Sequence, residues 1–234
     1  MKNTVTASLI DGIRQAWQED ANLRAHAGLL DLYMDRGVVT VAGEVPRIAE
    51  KKRALSDARA LCGRIIDRVR VTPRQPMTDR EISELLSDAL AGEPVFRETH
   101  VHFQRVPQDA ICDGRSTIAY SVQEGVVLLK GQVPGLDCKR LAGVLAWWIP
   151  GSCDVVNELS VAPADPFDSV AEAVRLVLEK DPCVEAAPLR VGADGSAVTL
   201  AGSVPSTEQR QLAELDAWYV FGVDKVSNRM TVHR

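Results

Sequence analysis

The chain has no long hydrophobic run. No window approaches the roughly 18 consecutive apolar residues of a membrane span. Its first ten residues carry one lysine and then a polar run, Asn3-Thr4-Val5-Thr6, with no apolar core of a secretory leader. The expectation is therefore a cytoplasmic protein, or a periplasmic one if a leader has been removed. Positive charge is not in excess: the net charge is −5. General nucleic-acid binding is thereby disfavoured, because it needs a basic surface to displace phosphate counterions. The five cysteines, Cys62, Cys112, Cys138, Cys153 and Cys183, include no Cys-x-x-Cys pair, which removes the usual zinc-knuckle and dithiol signatures. They read as reduced, partly buried thiols. There is no Gly-rich phosphate loop, nucleophile elbow or His-Glu-x-x-His site. Acids recur in the helices, as at Asp57 and Asp216, but spacing alone does not pair them. The reading is of a protein that is not an enzyme and carries no cofactor and no metal.

What the sequence does have is an internal repeat. Val41-Ala42-Gly43-Glu44-Val45-Pro46, Leu129-Lys130-Gly131-Gln132-Val133-Pro134 and Leu200-Ala201-Gly202-Ser203-Val204-Pro205 share one pattern, each after an apolar run. A second glycine follows each first at the same distance: Gly63, Gly151 and Gly222. Between them lie Ala54 and Ala58, Ala142 and Ala146, and Ala213 and Ala217, with Leu61, Ile149 and Val220 beyond. Steps of four and then three mark one helix face, and the second glycine is expected as that helix's C-terminal cap. Each unit closes in an alternating strand ending at Val71, Val161 or Val232.

Each unit also opens with an amphipathic helix. Leu9, Ile10, Ile13, Ala16 and Trp17 form its stripe in the first. Thr78-Asp79-Arg80-Glu81 offers a capping box in the second, and Asp168 a cap in the third, whose helix stops near Pro182. The unit is thus helix, strand, strand, helix, strand. The fold class is α+β, with three tandem αββαβ modules, each two helices on a three-stranded mixed sheet. Modules are expected over residues 1–72, 78–161 and 166–234, joined by short proline-bearing spacers.

The Gly-x-Val-Pro turn, the alanine-striped helix, the second glycine and the closing strand together resemble the BON-domain family. The resemblance covers nearly the whole chain, three times over. It implies bacterial αββαβ modules in a non-catalytic binding or scaffold protein. It further implies association with osmotic and envelope stress for tandem members, and contact with phospholipid or a protein assembly. The alternative reading is a small-ligand or ion sensor, for example of a cation, whose modules close on the ligand.

The copies differ. Residues 1–73 hold 12 basic against 9 acidic side chains, and the rest of the chain is acidic. Arg47, Lys51, Lys52, Arg53 and Arg59 crowd the second helix of the first module, a candidate patch for anionic lipid or an acidic partner. With a net negative chain, any phospholipid contact is expected to be weak. The second module carries an extension from about Val101 to Ser116. His100 and His102 there would share a strand face, but a zinc site would need a further ligand such as Cys112, Asp109 or Asp113. A longer loop or hairpin packed on another copy is the favoured reading. Trp147 and Trp218 occupy one aligned position, followed by Trp148 and Tyr219, with Arg59 at that place in the first module. That position is rotated about 100° from the alanine face at 3.6 residues per turn. These four aromatics are therefore candidate interface residues, for another module, a protein partner or self-association.

Overall fold

The computed structural model describes residues 2–35, 37–104, 116–161 and 169–233. It shows three αββαβ modules in tandem. The chain divides into two compact units, Met1–Thr72 and Pro73–Arg234.

The first unit holds α1 (Lys2–Glu19), β1 (Leu30–Asp35), β2 (Val38–Val45), α2 (Ile48–Cys62) and β3 (Ile65–Val71). β2 is central, antiparallel to β1 and parallel to β3. A parallel neighbour requires a crossover, and α2 supplies it. Ile13 and Trp17 of α1 are buried, as are Val41, Ala54, Ala58 and Val69, and the Trp17 indole donates to the Ala54 carbonyl at 3.1 Å.

The second unit holds two further modules. One comprises α3 (Asp79–Gly92), β4 (His100–Phe103), β5 (Thr117–Gln123), β6 (Val126–Val133), α4 (Leu136–Trp148) and β7 (Asp154–Val161). The other comprises α5 (Val170–Lys180), β8 (Arg190–Asp194), β9 (Ala197–Val204), α6 (Thr207–Tyr219) and β10 (Lys225–Val232). The sheet of the middle module differs from the three-stranded expectation. β4, from the start of the extension, pairs parallel with β5 and makes it four-stranded. Residues 105–115 of that extension, including Asp109, Cys112 and Asp113, lie outside the described residues, as does Asp168.

The repeated glycines have a common cause. Gly43, Gly131 and Gly202 adopt φ of 127°, 126° and 122°. A Cβ at each would collide with a carbonyl oxygen on the neighbouring strand side: that of Leu29, Thr117 or Pro188. Only glycine fits both the conformation and the close approach. The six alanines of the striped helices, Ala54, Ala58, Ala142, Ala146, Ala213 and Ala217, are all fully buried. Their small side chains let each helix axis lie close to its sheet.

Two capping expectations are corrected. Only Gly63 caps its helix, at φ 71° with its N–H on the Arg59 carbonyl at 2.8 Å. α4 and α6 stop two residues earlier, at the extended caps Ile149 and Val220. In α4 the cause is Pro150, which disfavours helical geometry in the residue before it. Gly151 instead answers to packing, since a Cβ there would press on Met77 and Ile82. At α5 the cap is Ser169, whose hydroxyl accepts from the Glu172 N–H at 3.3 Å.

Candidate functional site

The basic patch of the first module is smaller than its sequence implies. Ala54, Leu55 and Ala58 face the core, and Lys51 stands three before Ala54 on that same stripe. It is 5% exposed, with its ammonium 2.6 Å from the Val69 carbonyl and 3.2 Å from the Asp67 carboxylate. Arg47 donates to Glu50, a buried acid, at 2.8 Å, and Arg53 lies 3.6 Å from Asp20. Lys52 is half-buried and Arg59 is exposed. The cationic face of this helix therefore consists of Arg47, Lys52, Arg53 and Arg59, without Lys51.

Lys51 belongs to a pin repeated in all three modules. An Asx residue on the last strand, Asp67, Asn157 or Asn228, accepts the backbone N–H two residues on, from Val69, Leu159 or Met230. The same side chain reaches the second helix, where Lys51, Lys139 and Arg210 occupy equivalent positions. Asp67 meets Lys51 itself, while Asn157 and Asn228 donate to the Lys139 and Arg210 carbonyls at 2.7 and 3.2 Å. Sequence reading missed this pin, though its signal, one base per helix and one Asx per strand, was present.

Three of the four aromatics, Trp147, Trp148 and Tyr219, gather where α4 meets α6. Trp147 stacks on Tyr219, with ring centroids 5.5 Å apart and planes 11° off parallel. The Trp148 indole donates to Asp216 Oδ1 at 2.8 Å. Trp218 is fully buried. Arg74 donates to the Tyr219 hydroxyl at 3.1 Å, its guanidinium 5.9 Å from that ring's centroid. Arg140, also buried, donates to the Phe221 carbonyl at 3.0 Å, and the Lys139 ammonium lies 4.6 Å from the Phe221 ring centroid. Lys180 pairs with Glu93 at 2.7 Å. Aromatic area, a desolvated guanidinium and charged pairs thus make one seam between the second and third modules.

Electrostatics at the seam centre on Asp216. It is 2% exposed, and its buried Oδ2 has no hydrogen-bond partner among the described residues. Burial first, and then the nearby Asp181 carboxylate, push its carboxyl up to about 7, against the opposing pull of Trp148 and Arg74. Burial likewise raises the Tyr219 phenol. Elsewhere, the His100 and His102 rings sit with centroids 5.1 Å apart on β4. Among the described residues no cluster of three or more His, Cys, Asp or Glu could hold a metal ion. No helix among them is long and apolar enough to cross a membrane.

Over 127 residues the chain is 31% identical to the outer membrane lipoprotein DolP of Haemophilus influenzae. That stretch is 52% of this chain and 65% of the relative, so the chain spans just under two thirds of the relative's length. The cytoplasmic expectation draws no support from an outer membrane relative. Among solved structures, the C-terminal domain of CdsD, a structural protein of the type III secretion system of Chlamydia trachomatis, is 15% identical, covering 97% of this chain and 98% of that one. Its TM-score is 0.26, too low to carry any inference. The BON domain profile matches residues 108–163 and 168–234, together more than half of the chain. These stretches contain the Gly131 and Gly202 turns, the alanine helices α4 and α6 and both closing strands. With the same turn, helix and strand built into residues 1–72, the chain belongs to the BON-domain family.

Proposed function

We propose that this chain is a non-catalytic binding protein of the bacterial envelope, and that its first module makes weak electrostatic contact with anionic phospholipid. The observation that carries the reading is the division of charge. Unit Met1–Thr72 holds 12 basic against 9 acidic side chains, within a chain of net charge −5. Arg47 and Arg59 extend from one helix there, while Asp216, Arg140, Trp147 and Tyr219 of the second unit are buried inside it. The outer membrane relative supports an envelope setting. An anionic surface attracts a basic segment with about 1 kcal/mol per basic residue close to it. A patch this small, on an acidic protein, yields a weak and reversible contact.

The test is flotation of the full chain with phosphatidylcholine vesicles, with and without phosphatidylglycerol. Binding is expected only with the anionic lipid, at low ionic strength, and is lost near physiological salt, where the Debye length is about 8 Å. Joint Lys52→Glu and Arg59→Glu substitution should remove it. Absence of flotation at low salt sinks the reading. Undiminished flotation of the double variant moves the contact off this helix.

A further inference from the structure

The three modules differ on the sheet face opposite their helices. In the third, Val198, Leu200, Val226 and Met230 are buried on the helix side. Alternation along the strands puts Arg190, Gly192, Thr199, Ala201, Ser227 and Arg229 on the other side. Strand register lays these residues out in rows. Ala201 of β9 pairs with Arg190 of β8 on one flank and with Arg229 of β10 on the other. Neighbouring strands lie about 4.8 Å apart, so the two arginine backbones stand about 10 Å from each other across an alanine. Both arginines are exposed, and among the described residues neither makes a hydrogen bond or an ion pair.

The same row carries matched charge in the other modules. In the first it is Asp31, Ala42 and Arg68. In the second it is His102, Ala119, Lys130 and Glu158, with the lysine 3.6 Å from the glutamate. The third has two bases there and no acid, although its row Asp194, Ala197 and Lys225 is again balanced. The adjoining row differs as well. Tyr33, Thr40 and Ile66 in the first module, and Ser121, Leu128 and Val156 in the second, are replaced by Gly192, Thr199 and Ser227. Gly192 has no positive φ, and a Cβ there would meet nothing within 4 Å. A strand glycine that neither its conformation nor its neighbours require is a place where a ligand can come close. Together with Ala201 it leaves a low floor with two hydroxyls beside it and an arginine at each flank.

We propose that this face is a phosphate-monoester site, in which the Arg190 and Arg229 guanidiniums hold one phosphate above Ala201 and the Thr199 and Ser227 hydroxyls meet it from the floor. The number of oxygens selects the group. One guanidinium fork occupies both oxygens of a carboxylate and leaves the second arginine unused. A phosphate monoester offers three terminal oxygens and close to two negative charges near neutral pH, enough for both forks. Its charge also cancels the repulsion between the arginines. A metal cation would add to that repulsion. The site is open to water, so binding is weak and falls with added salt.

Titration of the full chain with inorganic phosphate, followed by amide chemical shifts at constant ionic strength, tests the site. Gly192, Ala201 and Ser227 should shift saturably with phosphate and not with acetate. Arg190→Gln and Arg229→Gln should each weaken binding about tenfold, the effect of one lost charge-assisted fork. Gly192→Val should abolish binding without lowering the melting temperature, because valine favours a strand and meets no neighbour there. Shifts that do not saturate, that acetate reproduces, or that survive either arginine substitution overturn the site. Undiminished binding by Gly192→Val overturns it equally. Two sources of such a group are separated in the Lys52→Glu, Arg59→Glu chain, where the first module's contact is absent. Displacement of inorganic phosphate by glycerol 3-phosphate, without flotation on phosphatidic acid vesicles, supports a soluble ester as ligand. Flotation that Arg229→Gln removes supports a lipid headgroup. Neither outcome depends on whether the first module meets a membrane.

Discussion

At the scale of single residues, most of the repeat is explained by backbone crowding. Gly202 combines a φ of 122° with a carbonyl, that of Pro188, standing where its Cβ would be. Gly202→Ala should therefore destabilise the second unit by about 1–3 kcal/mol, read as a lowered denaturation midpoint, and an unchanged midpoint would contradict the close approach. Cysteine chemistry divides in the same local way. Burial, with Asp137 beside it, pushes the Cys138 thiol up to about 11, whereas Cys183 is exposed. At pH 8 Cys138 holds almost no thiolate, so iodoacetamide should label Cys183 first and Cys138 far more slowly. Comparable labelling by peptide mass would show that Cys138 is open to solvent. Lys51 shows where residue-level reading falters. Its charge suggested a surface, yet its place three before Ala54 puts it on the docking stripe, where Asp67 and the Val69 carbonyl receive the ammonium.

Elements were legible wherever their signals are short in range. The Thr78–Glu81 capping box forms as read, the Thr78 N–H meeting Glu81 at 2.7 Å and the Glu81 N–H meeting Thr78 at 3.3 Å. The alanine stripe is buried in all three copies. Ala213→Leu should consequently overpack α6 against its sheet and cost about 1–3 kcal/mol; an unaltered melting temperature would argue against that docking face. The ends of α4 and α6 were harder to place, because Pro150 overrides the glycine signal at one and Val220 is already extended at the other. β4 was hidden because four residues, His100–Phe103, carry too little pattern to declare a strand; it exists through pairing with β5. The seam partners were hidden for a different reason. Trp148 and Asp216 are 68 residues apart, and Arg74 and Tyr219 are 145 apart. Helical phase placed the aromatics off the alanine face, but it holds no information about which side chains meet them there.

For the whole molecule, the three repeats divide into one unit of a single module and one of two. Met1–Thr72 has its own closed core around Ile13, Trp17, Val41, Leu55 and Val69. Pro73–Arg234 contains the seam, in which Trp147, Tyr219, Arg140 and Asp216 are all buried. Parting its two modules would expose stacked aromatic surface and leave buried charged groups in need of new partners, a cost that couples their unfolding. Urea unfolding of the full chain should accordingly show two transitions rather than one or three. The four tryptophans sort them conveniently: Trp17 alone reports the first unit, and Trp147, Trp148 and Trp218 report the second. Trp17→Phe should erase the fluorescence change of one transition and leave the other in place. It also removes the indole bond to the Ala54 carbonyl, so circular dichroism should show the first unit unfolding earlier, by about 1 kcal/mol for the lost bond. A single transition followed identically by both probes would mean that the two units unfold as one. Separate transitions for α4 and α6 peptides in pulsed exchange would mean that the seam does not couple the second and third modules.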